Sequence, residues 1–267
     1  MKIQRFTPVQ RIFHLLLVLS FLFQAVTGVS RLYIESAWGR SLANWFGGYE
    51  GSLILHKWVG LFMIALFLLH LLYLLATIKG RYFSGPDTLL PRPKDFGDFF
   101  KHVGWFFGLN KPPRFDRWGY WEKFDYWAVF WGMVIIGTTG ILLYNPVLSS
   151  RYIPGWGLNI VLWVHRIEAM LAIGHVFIIH FFIAHIRPHS FPMDTAMFDG
   201  GVDVDKAEHE RPAWIQRLKS KAPLSQFATS PASGTAKAIY FVFGYAVVVS
   251  GVLLVILGLI NAPHITW

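Results

Sequence analysis

The sequence predicts an all-α integral membrane bundle of about five transmembrane helices, and three observations predict it. Of its 267 residues 54% are hydrophobic and 17% aromatic, more than a soluble domain of this size carries. The apolar residues gather into windows of about 20 or more, the length that crosses a bilayer. The basic residues gather in alternate connections between those windows.

The first window, about 12–34, follows the basic stretch 2-KIQRFTPVQR-11 and opens 15-LLLVLSFLFQAV-26. That layout resembles a secretory leader, but the apolar run continues to Leu32, contains His14 and shows no small-residue cleavage site, so it is read as a retained helix. The second window is 53–78. The connection after it, 79–123, carries the breakers 84-SGPD-87, 91-PRPKD-95 and 111-KPP-113. Within it 96-FGDFFKHVGWFFG-108 reads either as an interfacial amphipathic helix or as an irregular loop with aromatic anchors. Windows 124–145 and 158–186 follow. After the polar stretch 187–236, a fifth helix over 237–261 is expected to pack against a neighbouring subunit. The organisation is thus a four-helix domain (1–186), a cytoplasmic segment (187–236), and a fifth helix with a short tail (237–267).

Orientation follows from the charges. The segments 1–11, 79–123 and 187–237 hold 19 of the 24 Lys and Arg residues, whereas 31–52 and 146–157 hold Arg31, Arg40 and Arg151. The positive-inside rule places the N-terminus in the cytoplasm and, with five spans, the C-terminus outside. The same asymmetry accounts for the net charge of +9. Asp203, Asp205, Glu208 and Glu210 interrupt any continuous basic patch, and no nucleic-acid partner is expected. Without cysteine there is no disulfide, thiolate zinc site, covalently attached haem or cysteine-held iron–sulfur cluster.

The eleven histidines carry the chemistry. Five lie in 163-WVHRIEAMLAIGHVFIIHFFIAHIRPH-189, where a polar ring in hydrocarbon demands a partner. His56 and His165 fall near the outer boundary, His14 and His180 near the inner one. His165 and His180 are separated by roughly 22 Å of helical rise, and His56 and His70 by roughly 21 Å with about 40° between their faces. Imidazoles at two depths on inward faces suit bis-histidine haem b, because neutral imidazole is a strong axial ligand and facing helices can clamp the apolar porphyrin. Lys57 and Arg166, each following an outer histidine, are cations suited to haem propionates. Gly28, Gly60, Gly137, Gly140 and Gly174 fit the close approach of a flat plate, and equally fit ordinary small-residue packing. Glu168 is an intramembrane carboxylate placed to pair with Arg166 or Lys57, or to relay protons.

Three segments, 11-RIFHLLLVLSFLFQAVTG-28, 54-ILHKWVGLFMIALF-67 and 162-LWVHRIEAMLAIGHVFIIHFFIA-184, resemble the di-haem cytochrome b membrane subunits (gamma subunits) of respiratory formate dehydrogenases. More loosely, they resemble those of nickel–iron hydrogenases and thiosulfate reductases. The resemblance covers roughly residues 5–186. It implies that His56 and His165 ligate an outer haem and His14 and His180 an inner one, beside a quinone site near the cytoplasmic face of a bacterial inner membrane. The His165-to-His180 spacing is one residue longer than the resemblance implies, and the 187–236 segment and fifth helix have no counterpart in it. His70 and His175 are alternative ligands. Depth alone separates neither His14 from His70 nor two haems from three.

Beyond the fourth helix, His185, Arg187, His189 and Asp194 are candidates to line a quinone pocket, supplying the donor and proton route that quinone reduction or quinol oxidation needs. The expected function is electron transfer across the membrane between an outer-side partner, an iron–sulfur or multihaem cytochrome subunit, and menaquinone or ubiquinone. Two other classes remain: a metal-ion or proton transporter using His175, His180 and His185, and a cofactor-free anchor.

Overall fold

The computed structural model describes residues 1–77, 85–187, 190–262 and 265. In chain order it shows strand β1 (Lys2–Gln4), then helices α1 (Pro8–Leu32), α2 (Ala37–Asn44), α3 (Gly48–Thr77), α4 (Pro93–Phe106), α5 (Tyr120–Tyr144), α6 (Pro146–Ser149) and α7 (Gly155–Gly174). The last continues as π-helix over His175–His180 and Phe182–Ile186. Helix α8 (Ala196–Asp199), β2 (Gly201–Asp203), α9 (Val204–Glu210), α10 (Pro212–Lys219), β3 (Ala228–Thr229) and α11 (Gly234–Asn261) complete the order. Among the described residues, five helices are long and apolar enough to cross a membrane: α1, α3, α5, α7 with its π extension, and α11.

The ends of these helices are set by local chemistry that hydropathy does not register. Helix α1 starts at Pro8, four residues before its apolar window, because Thr7 and Gln10 form a reciprocal cap: the Thr7 amide donates to Gln10 Oε1 at 3.0 Å and the Gln10 amide to Thr7 Oγ1 at 3.3 Å. Proline at the first helical position costs no hydrogen bond. Helix α3 starts at Gly48, after a turn in which Gly47 and Gly48 hold φ of 85° and 79°, a left-handed conformation open to glycine.

The chain divides into two compact units, each discontinuous in sequence. One comprises residues 12–71, 131–193 and 238–267. Its core joins Ala25, Val29 and Tyr33 of the first helical region to Ile173, Phe177 and Phe181 of the fourth and Val247 and Leu254 of the fifth. Helix α11 thus has partners in its own chain. Tyr33 donates its hydroxyl to the Gly258 carbonyl at 2.8 Å, and a Cβ built on Gly251 would lie 2.3 Å from the Phe177 ring. Glycine is the residue that lets this aromatic ring seat against the α11 backbone.

The other unit comprises residues 1–11, 72–130 and 194–237. It contains a three-stranded antiparallel sheet in the order β2-β1-β3, with Ile3 opposite Val202 and Ala228. These short strands carry no alternating pattern long enough to be seen in the sequence, and they add a small sheet to an otherwise helical chain. Ile3 is fully buried in a cluster with Val202, Ala207, Trp214 and Ile215.

Charge pairs hold this unit together. Glu122 accepts from both Arg5 and Arg211, and from the Gly119 amide at 2.8 Å. Arg217 bridges Asp87 at 2.8 Å and Asp116 at 2.6 Å. Burial alone would raise the Asp87 carboxyl, but hydrogen bonds and charge from Arg217, with charge from Arg117, hold it below the ordinary carboxylate value.

The run 96–108 is helical as far as Phe106, within α4. The helix is inverted for a soluble domain: Phe96, Phe100 and Phe106 are exposed while Asp98 is buried and paired with Lys94. An exposed aromatic face over a buried, paired carboxylate suits a helix lying in the bilayer interface.

Candidate functional site

Four of the candidate histidines meet in twos. The rings of His56 on α3 and His165 on α7 have centroids 6.4 Å apart, with planes inclined at 78°. Those of His14 on α1 and His180 in the first π segment are also 6.4 Å apart, inclined at 45°. Imidazole nitrogen binds a metal at about 2 Å, so two rings clamping one metal from opposite sides stand with centres about 6 Å apart. Both pairs have that separation. Among the described residues no group of three or more His, Asp or Glu comes together as a metal-ion cluster.

Each ring of the first pair is seated in the same way. Thr27 Oγ1 lies 2.9 Å from His56 Nδ1, and Thr139 Oγ1 lies 2.9 Å from His165 Nδ1. The residue after each threonine is a glycine facing the same ring: a Cβ on Gly28 would fall 3.3 Å from His56 Cε1, and one on Gly140 3.4 Å from His165 Cε1. Gln24 Nε2 also donates to the His56 carbonyl at 2.7 Å. The recurring Thr-Gly dipeptide, 27–28 on α1 and 139–140 on α5, is the signal the sequence reading lacked.

The other small residues have different neighbours. A Cβ on Gly60 would meet Gln24 Nε2 at 3.0 Å and one on Gly137 would meet Ile64 at 3.5 Å, while one on Gly174 meets nothing within 4 Å. The first two belong to helix packing. Gly132 faces Glu168, whose Oε1 would lie 3.2 Å from a Cβ built there.

A π turn takes up one residue more than an α turn, and the π segment His175–His180 ends on the histidine whose ring meets that of His14. His175 opens this segment and is half-buried. His70 makes an edge contact with Phe13, centroids 5.5 Å apart, and His185 one with Phe181 at 5.9 Å.

Of the cations, Lys57 Nζ lies 5.1 Å from the Tyr144 ring centroid, and Arg166 is half-buried. Arg187 donates from Nε to the Ile183 carbonyl at 2.8 Å. Asp194 accepts from Lys206 at 3.2 Å and from the Ala196 amide at 2.8 Å. Burial works to raise its carboxyl, yet Lys206 and the amide hold it low. It is therefore ionised at neutral pH, an acceptor in place and not a proton donor. His189 lies outside the described residues.

The profile of a family described as prokaryotic cytochrome b561 matches residues 5–200. The formate dehydrogenase cytochrome b556(fdo) subunits of Escherichia coli strain K12 and of Escherichia coli O157:H7 are each 22% identical to this chain over 219 residues, which cover 81% of it and 93% of each relative. The match runs past the fourth span into the segment that follows it.

Proposed function

The chain belongs to the prokaryotic cytochrome b561 family, as a multi-pass bacterial membrane cytochrome b that binds haem b and transfers electrons, and from that premise we propose that it holds two haems stacked across the bilayer and links an outer-side partner to a quinone. One observation carries this reading: two histidine pairs, on different helices and at different levels, with the same 6.4 Å separation. His56 and His165 would hold the outer haem, and His14 and His180 the inner one. The contact between His14 and His180 favours His14 over His70 for the second position.

Haem b bound in such a pair supplies a one-electron iron couple in an apolar setting. The residues of this chain would orient the imidazoles and exclude water with the aliphatic and aromatic side chains around them. Lys57 and Arg166 are the cations proposed for the outer propionates. His185 and Arg187, at the end of the fourth span, are proposed to line the quinone site, with the histidine delivering or removing the proton that accompanies electron transfer.

The N-terminus is proposed to lie inside and the C-terminus outside, from the basic-residue asymmetry. The formate dehydrogenase subunits that this chain resembles are parts of a multi-subunit enzyme, which supports a complex here too, with an iron–sulfur or multihaem cytochrome subunit on the outer face. The test is haem quantitation on purified protein together with its reduction by a menaquinol or ubiquinol analogue. Two b haems per chain, both reduced by quinol, are expected. A preparation without b-type absorbance would overturn the reading.

Gly251 offers a further check, because it seats Phe177 inside the π segment that carries His180. Gly251→Leu drives a side chain into that ring and displaces the segment. The inner haem is expected to bind about 10-fold more weakly, in the range of lost supporting contacts, while the His56–His165 haem stays. Haem per chain, falling from two towards one, reads the outcome.

A further inference from the structure

We propose that Thr27 and Thr139 are positioning residues that fix the tautomer of His56 and His165 and lower the potential of the haem between them. The proposal rests on the ligand assignment above and concerns side chains that reach the haem only through the histidines.

The hydrogen count decides the direction of each contact. A threonine hydroxyl has one hydrogen. Thr27 Oγ1 lies 2.6 Å from the Phe23 carbonyl oxygen and Thr139 Oγ1 2.8 Å from that of Ile135. Two oxygens this close need a hydrogen between them, and the carbonyl has none to give. Each hydroxyl is therefore spent on its own helix, one turn back, and presents a lone pair to the histidine 2.9 Å away. The contact forms only if Nδ1 carries the hydrogen and donates it. Nε2 is left with its lone pair, the atom and state that iron requires.

The placement is rigid for two reasons. The threonine side chain is β-branched and locked by its back-bond to the helix. The adjoining glycine brings the backbone within contact of the same ring, so the imidazole is held at its nitrogen and along its edge. Helix α1 presents this device to α3, and α5 presents it to α7, so the two ligands of one haem share the same threonine and glycine support from two different helices, with Gln24 added at the His56 carbonyl and the Ile136 backbone at the His165 ring.

An Nδ1–H bond to an acceptor raises the basicity of Nε2. A more basic ligand favours the ferric state, so the hydroxyls lower the midpoint potential. Part of the strength of such a hydrogen bond differs between the two oxidation states, so each threonine shifts the oxidised-to-reduced ratio by about threefold. That is about 30 mV at 59 mV per tenfold for one electron.

The experiment is a redox titration of the purified haem-loaded protein, followed in the α band, for Thr27→Val, Thr139→Val, the double variant, and the serine variants at both positions. Valine keeps the shape and removes the acceptor; serine restores it. One of the two haems should rise by about threefold in its reduced-to-oxidised ratio per valine, about tenfold in the double variant, with the other haem unmoved and serine returning the parent value. Fully haem-loaded valine variants with unchanged or lowered potentials would overturn the proposal. If the valine variants lose the haem, serine decides: retention at the parent potential supports the hydroxyl, and loss with serine as well overturns it in favour of methyl packing. Failure of the ligand assignment itself is separately visible, as absence of haem in the parent protein or retention of both haems in His56→Ala.

Discussion

Alanine at His56 or at His165 is expected to leave the purified protein with one haem b in place of the two proposed, and alanine at His14 or at His180 to remove the other. Loss even of a residue that supports a metal ligand weakens binding by about 10- to 100-fold, so loss of the ligand itself, from a site with one imidazole on each side, should exceed that. Each pair has centroids 6.4 Å apart. His70→Ala is expected to keep both haems, because the His14 and His180 rings already stand at the separation that two imidazoles on one metal require. Pyridine haemochrome quantitation on the five variants checks this directly. Loss of a haem in His70→Ala with retention in His14→Ala would transfer the inner-ligand role to His70.

Replacing Glu122 with glutamine is expected to be the most damaging change outside the histidine pairs. Its carboxylate accepts from two arginines whose side chains are only 4% and 3% exposed, and from the Gly119 amide. Glutamine nearly preserves the shape but takes the Glu122 countercharge from two buried guanidinium groups and leaves Arg211 to Glu210 at 3.8 Å, and breaking a buried pair in this way typically costs about 3–5 kcal/mol. Against a total stability of about 5–15 kcal/mol, that is enough to collapse the yield of folded protein. Because Arg5 follows β1 and Arg211 lies between α9 and α10, the damage should spread through the unit that Glu122 joins, comprising residues 1–11, 72–130 and 194–237. Thermal unfolding in detergent, followed by tryptophan fluorescence, would show it as a lowered midpoint. An unchanged midpoint would mean that the arginines find other partners.

The four haem-ligand candidates and their pairing by depth were legible because apolar spans suppress alternatives. In oil a histidine needs a reason, and depth can be counted at 1.5 Å per residue. The threonines were not legible in the same way. A single Thr in a spanning helix is ordinary, and Thr27 acquires meaning only when α1 and α3 bring it against His56, 29 residues away in sequence. The π segment is another case. The chain of 165–180 reads as one residue too long for the pattern it resembles, and only the backbone shows the π segment within it.

The sequence by itself determined the five spans, the absence of cysteine-based centres and which histidines stand as candidates to hold haem, because these follow from composition and from the cost of polar groups in hydrocarbon. The tertiary structure alone decided which imidazoles face one another, that Gly28 and Gly140 seat rings while Gly60 and Gly137 pack helices, and that α11 closes on Phe177 and Tyr33. It also decided that residues from three distant stretches, β1, β2 and β3, make one sheet. The physical reason is common to all of these. Rotation about a helix axis and the choice of neighbour depend on contacts between segments remote in sequence, and no local periodicity encodes which of several similar faces will meet.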